Sequence, residues 1–204
     1  MENKFKYTDI LSIIKNKDVE LRHDVDLSLD SAYNIAKIES EHNIKSIYYI
    51  RFDSDYYNPL SLKNKFIIDF LLSNHEIGCH VDVTNIENEK NLINYLDYYN
   101  KILPFNKFTF HINTEKTKSF GDLNEYKNKS IITNDYISDS RNHFTEEDFS
   151  KLLNFNNYTL LIHPEWWDNS SFTFDDKSGD KKIFSCLKFD EIYKKSLKEI
   201  LKID

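Results

Sequence analysis

Along this chain the spacing of apolar residues switches repeatedly between a helical and an extended period. YTDILSIIKN (7–16) carries apolar residues at helical spacing and predicts a short first helix. A strand follows at about 19–25, and Ser28 is placed to cap a helix through LDSAYNIAKIESEHN, with Asp30 in its first turn. KSIYYIRF (45–52) is a continuous apolar run of the buried-strand type. A polar loop, DSDYYNP, leads to a helix through LKNKFIIDFLLSN, then a third strand, HEIGCHV (75–81). NIENEKNLINYLDYYNKIL predicts a long amphipathic helix, and KFTFHI (107–112) a fourth strand. Between 113 and 145 the pattern weakens: SIITN and DYIS read as strands, TEEDFSKLLN as a helix. NYTLLIH (157–163) is another strand, followed by the loop PEWWDNSSFTFDDKSGD and a last helix from about 184.

Regular strand–helix alternation predicts parallel βα units in one domain spanning 1–204, with no repeat or linker to divide it. In such folds chemistry gathers at the carboxyl ends of the strands. Those ends carry Asp24 and Asp26, then Arg51, then His80 and Asp82, then His111. Asp135 or Asp139 with Arg141 follow, and finally His163. Alternation along the first strand sends Arg22, Asp24 and Asp26 to one face and Leu21, His23 and Val25 to the other. Two acids on one face repel unless a positive group lies between them, which Arg22 or a metal ion would supply.

Composition narrows the picture. Three Gly and three Pro suit helices and strands joined by polar loops better than a turn-dense β-sandwich. A net charge of −7 without a basic patch argues against nucleic acid as a partner. No run reaches the length of a membrane span, and the first residues lack the apolar core of a signal peptide. Cys79 and Cys186 make no disulfide framework and read as free thiols, so the expected compartment is the cytoplasm. Only Arg22, Arg51 and Arg141 are arginines, against 24 lysines, which directs attention to the planar, bidentate geometry of each.

Asp26, His80 and His111 together make a mixed nitrogen and oxygen donor set suited to Zn²⁺ or a similar divalent ion. Such an ion acidifies a water, Asp24 is the nearby base, and His163 is placed to protonate a leaving group. Metal-assisted hydrolysis follows from these residue types. His23 reads as a core histidine, while His42, His75 and His143 read as surface or loop residues. Trp166 and Trp167 either plug the mouth of the fold or stack on a sugar ring.

The motifs LRHDVD, HEIGCH, FTFHINT, YISDS and LLIHPEWW, in this order over about residues 19–167, resemble those of the polysaccharide deacetylase-like proteins, relatives of carbohydrate esterase family 4. The resemblance implies an α/β fold, a distorted (β/α) barrel of about seven strands. It also implies that Asp24 is the base, that Asp26 and His80 bind metal, and that His163 is the acid. Two features depart from the family's pattern. Where the family has a second metal His, four residues after the first, this chain has Thr84, and the family's Arg-Pro motif is replaced by FHINT. His111 is the preferred third ligand, with Asp82 the alternative. Arg141 or Arg22 would take the place of the arginine that orients the base. Arg22, Asp82, Trp166 and Trp167 are the candidate substrate contacts.

The expected activity is deacetylation of an N-acylated sugar, on a nucleotide- or lipid-linked glycan precursor. The alternatives are hydrolysis of another C–N bond, in a formamide or cyclic amide, and a non-catalytic carbohydrate- or nucleotide-sugar-binding module on the same barrel.

Overall fold

The computed structural model describes residues 6–84, 86–111, 117, 120, 135–140 and 143–168. The predicted strand SIITN, the last helix, Cys186 and Arg141 lie outside these residues. Six parallel strands form one sheet: β1 (Asp18–Val25), β2 (Ile47–Ile50), β3 (Glu76–Val81), β4 (Phe108–Phe110), β5 (Tyr136–Ser138) and β6 (Asn157–Ile162). Their order across the sheet is β4-β3-β2-β1-β6-β5. The helices are α1 (Tyr7–Ile14), α2 (Leu29–Glu41), α3 (Lys65–Asn74), α4 (Glu89–Ile102), α5 (Glu146–Asn154) and the short α6 (Pro164–Trp167).

Local chemistry sets the helix starts. Ser28 accepts a hydrogen bond from the Ser31 amide at 3.1 Å, and Asn88 accepts one from the Asn91 amide at 3.0 Å. Thr145 and Asp148 form a reciprocal capping box at the start of α5. Pro164 occupies the first turn of α6, where its missing N–H costs nothing.

The two faces of the sheet differ in chemistry. Outward residues such as Val25, Ile50, Cys79 and Val81 pack with Ile67, Leu71, Leu92 and Leu96 from α3 and α4. Leu21, Leu160 and Ile162 pack with Ile10, Leu11 and Leu152 from α1 and α5. Each such buried side chain contributes about 1.5–3 kcal/mol, so the helices are held by this face. The inward face is polar: the strand register puts Arg22, Asp24, Tyr49, Gly78, His80 and Thr109 on it. A Cβ at Gly78 would lie 2.4 Å from the Tyr49 ring, so only glycine lets that ring lie inside. The sheet curls enough for Lys107, beside β4, to come within 3.7 Å of Glu20 on β1.

Two details differ from the sequence reading. β4 is only three residues long; the His111 amide that follows still donates to the Val81 carbonyl at 2.9 Å, and residue 112 lies outside the described residues. His75 neither opens β3 nor lies at the surface. It follows α3, is buried, and lies within hydrogen-bonding distance of the Ser40 and Ser46 hydroxyls and the Ala36 carbonyl. A histidine next to an acidic residue (Glu76) looks solvated in one dimension; the buried carboxylate it approaches, Glu39, comes from a different helix.

Candidate metal centre and acid–base pair

β1, β3 and β4 end side by side, and their carboxyl ends bring three side chains together. Asp26 Oδ1 lies 2.9 Å from His111 Nδ1 and 3.3 Å from His80 Nε2, and the two imidazole nitrogens are 3.3 Å apart. These three residues form a group able to hold a metal ion. Two observations fit a divalent cation. Donor atoms about 2.0–2.1 Å from a shared tetrahedral ion lie roughly 3.3 Å from one another, close to the triangle seen here. Asp26 Oδ1 is also buried and receives no properly directed hydrogen bond, although two imidazole nitrogens are so near. An orphaned buried carboxylate oxygen is costly, and a cation at the centre of the triangle would satisfy it.

The surroundings orient this group. His80 Nδ1 lies 2.7 Å from Thr109 Oγ1, its neighbour across the β3–β4 ladder. A proton on Nδ1 turns the Nε2 lone pair into the triangle. Burial alone would raise the Asp26 carboxyl, but His111 and His80 hold it far below the ordinary carboxylate range. His80 keeps 1% of its side-chain surface exposed, against 15% for Asp26 and 23% for His111, so the triangle is approached from the Asp26–His111 side.

Asp24 and His163 flank the triangle. Asp24 Oδ2 is 3.7 Å from His80 Nε2, and His163 Nε2 is 3.7 Å from Asp26 Oδ2. Arg22 grips Asp24 with one terminal nitrogen on both carboxylate oxygens, at 2.7 and 2.9 Å, and lies over the Tyr49 ring at 4.8 Å. Burial would raise the Asp24 carboxyl; His80, Arg22 and His163 outweigh it and keep the group ionised. Burial likewise works against the His163 imidazolium, but the Asp139 carboxylate outweighs it, with Asp24 and Glu165 adding, and its pKa is raised to about 10. Asp139 accepts from His163 Nδ1 at 2.6 Å, from the His163 amide at 2.9 Å and from the Trp167 indole N–H at 2.7 Å.

Several expected site residues stand elsewhere. Asp82 is not part of the triangle: its oxygens are taken by Arg51 at 3.0 Å and by the Thr84 amide and hydroxyl at 2.9 and 2.5 Å. Arg22 directs a terminal nitrogen at Asp24, and both of its close polar contacts are to that carboxylate. Trp167 does not offer a face to a sugar. It is buried, with its ring against Tyr7 and Phe144 and its N–H on Asp139. Trp166 is half-buried with its ring 6.5 Å from that of His163. Arg141 lies outside the described residues. Asp139 as the partner of His163 escaped the sequence reading. The strand-end rule had pointed to it, but only the β5–β6 register, Ser138 opposite Leu161, brings the next residues into reach.

The fold is that of the polysaccharide deacetylase-like barrels. Solved structures that it resembles include a CE4 esterase of Streptococcus mutans, 11% identical, with a TM-score of 0.52 over 78% of this chain and 79% of that one. They also include the chitin deacetylase from the fungal pathogen Colletotrichum lindemuthianum, 17% identical, with a TM-score of 0.52 over 83% of this chain and 80% of that one. No protein-family model and no curated protein matches the sequence.

Proposed function

We propose that this protein is a metal-dependent hydrolase that removes the acyl group from an N-acylated sugar. The observation that carries the reading is the convergence of Asp26, His80 and His111 at ligand spacing, with an ionised Asp24 on one side and a protonated His163 on the other. A divalent ion held by Asp26, His80 and His111 would supply the charge that acidifies a water and polarises the acyl carbonyl. Asp24, kept ionised by Arg22, takes the proton from the attacking water. His163, with Nδ1 tied to Asp139, presents Nε2 to the leaving nitrogen and donates the proton that lets the amine depart. His111 does here what a second histidine, four residues after the first, does in the family that the sequence resembles; Thr84 occupies that place and serves the Asp82 turn instead.

The structures with this fold include an esterase and a chitin deacetylase, which supports an acylated sugar as substrate. The test is acetate release from N-acetylglucosamine oligomers and from nucleotide- and lipid-linked N-acetyl sugars, with the protein loaded with zinc and again after chelation. Metal-dependent acetate release is the expected result. Formate or a ring-opened product from a wider amide panel, with no acetate, would transfer the same chemistry to another C–N bond. Metal-loaded protein that hydrolyses none of these would sink the hydrolase reading in favour of a binding module.

A further inference from the structure

Behind the strand that carries Asp24 lies a second cluster of histidine and carboxylate that the proposed chemistry does not use. We propose that its central pair, His23 anchored by Glu39, positions the acid and base relative to each other. The inference rests on the reading of Asp24 as base and His163 as acid. β1 and β6 are paired as far as the rung His23–Ile162; the next residue on each strand is Asp24 and His163. Beyond that rung β1 and β6 are no longer paired with each other, while Asp24 stays in register with Tyr49 of β2. The His23 ring sets the separation of the two groups from behind. Its Nδ1 is 3.2 Å from the Ile162 carbonyl oxygen, and its Nε2 is 2.7 Å from Glu39 Oε1. Both partners are acceptors, so both ring nitrogens donate. One imidazole thus belongs to the residue before the base and holds the carbonyl of the residue before the acid.

Glu39 makes this a fixed point rather than a loose contact. It lies in α2 with no exposure, and it accepts from the Tyr7 hydroxyl of α1, from Ser46 Oγ at 2.7 Å and from the Tyr48 hydroxyl of β2 at 2.8 Å. The His23 ring is also stacked on Tyr48, with centroids 4.4 Å apart and planes 22° apart. Two helices and two strands therefore share one carboxylate, and the His23 ring extends the link to β6. Apolar side chains of similar volume often replace a buried ion pair at no cost in stability. Stability alone therefore gives little reason for this pair. Geometry gives a better one, because a misplacement of about 1 Å in an active site can cost about 10²-fold in rate.

Three variants of the zinc-loaded protein separate the two tethers. His23→Asn puts an amide nitrogen near the Nδ1 position and keeps the bond to Ile162. His23→Gln puts one near Nε2 and keeps Glu39. His23→Leu keeps neither. Two readouts apply: kcat and KM for acetate release, and the NMR resonance of the His163 Nδ1 proton that faces Asp139. Each variant breaks the bridge from Glu39 to Ile162, so in all three kcat falls by about 10²-fold with KM unchanged, and the His163 resonance moves. An Asn or Gln variant whose kcat and resonance match those of the parent would overturn the proposal, as would lower melting temperatures with kcat and resonance unmoved. If the parent releases no acetate, the hydrolase reading fails, and the resonance alone decides the positioning role.

Discussion

The two histidine–carboxylate clusters of this molecule sit on opposite faces of one strand, and they are built to different ends. Outside β1, Glu39 has every oxygen occupied by well-directed donors, and neither it nor His23 is exposed. Inside, Asp26 Oδ1 has beside it only two imidazole nitrogens whose direction makes no good hydrogen bond, and those imidazoles remain partly open to solvent or to each other. The residue types are nearly the same. What separates a structural cluster from a candidate metal centre here is how far its polar atoms are satisfied within the protein.

The largest effect should come from the inner cluster. Asp24→Asn removes the proposed base while leaving Asp26, His80 and His111 intact, so kcat should fall by about 10²–10⁴-fold with metal content unchanged. A variant that loses its metal as well would show that Asp24 belongs to the ligand set. Next comes the outer cluster. Glu39→Ala leaves His23 and three hydroxyls without their acceptor and should cost about 3–5 kcal/mol in thermal or denaturant unfolding. A cost below about 1 kcal/mol would mean that the outer network is no more satisfied than the inner one.

How far the sequence led can be judged from the same two clusters. HDVD, GCH and LLIH each sit where an apolar strand gives way to charge, so Asp24, Asp26, His80 and His163 were legible from period and topology together. His111 was legible because FTFHI ends the same way. Glu39 was not: within IESEH it looks like one of several solvent-facing acids, and only the packing of α2 onto β1 and β2 buries it. Trp167 and Asp139 were obscured for a related reason. Their bond joins residues 28 apart in sequence, and neither strand nor loop pattern carries that information.

A smaller effect sharpens the inner cluster. Thr109→Val removes the oxygen beside His80 Nδ1, and metal affinity should weaken by about 10–100-fold in a competition titration. Unchanged affinity would mean that Thr109 does not orient the ring. The smallest expected effect is on pH. In metal-free protein the His163 pKa is raised to about 10, from an unfolded value of about 6.5. The stability this gives is complete below about 6.5 and is lost as the pH rises through about 10. The melting temperature of chelated protein should fall across that window, and His163→Gln should flatten the fall. An equally steep fall in that variant would assign it to another group.

The central claim is that Asp26, His80 and His111 hold one metal ion, and plasma mass spectrometry of purified protein tests it most directly. The prediction is about one divalent ion per chain, lost in both Asp26→Ala and His111→Ala and retained in Asp82→Asn. A parent that takes up no ion even after incubation with Zn²⁺, or a His111→Ala variant that keeps its metal, would contradict it.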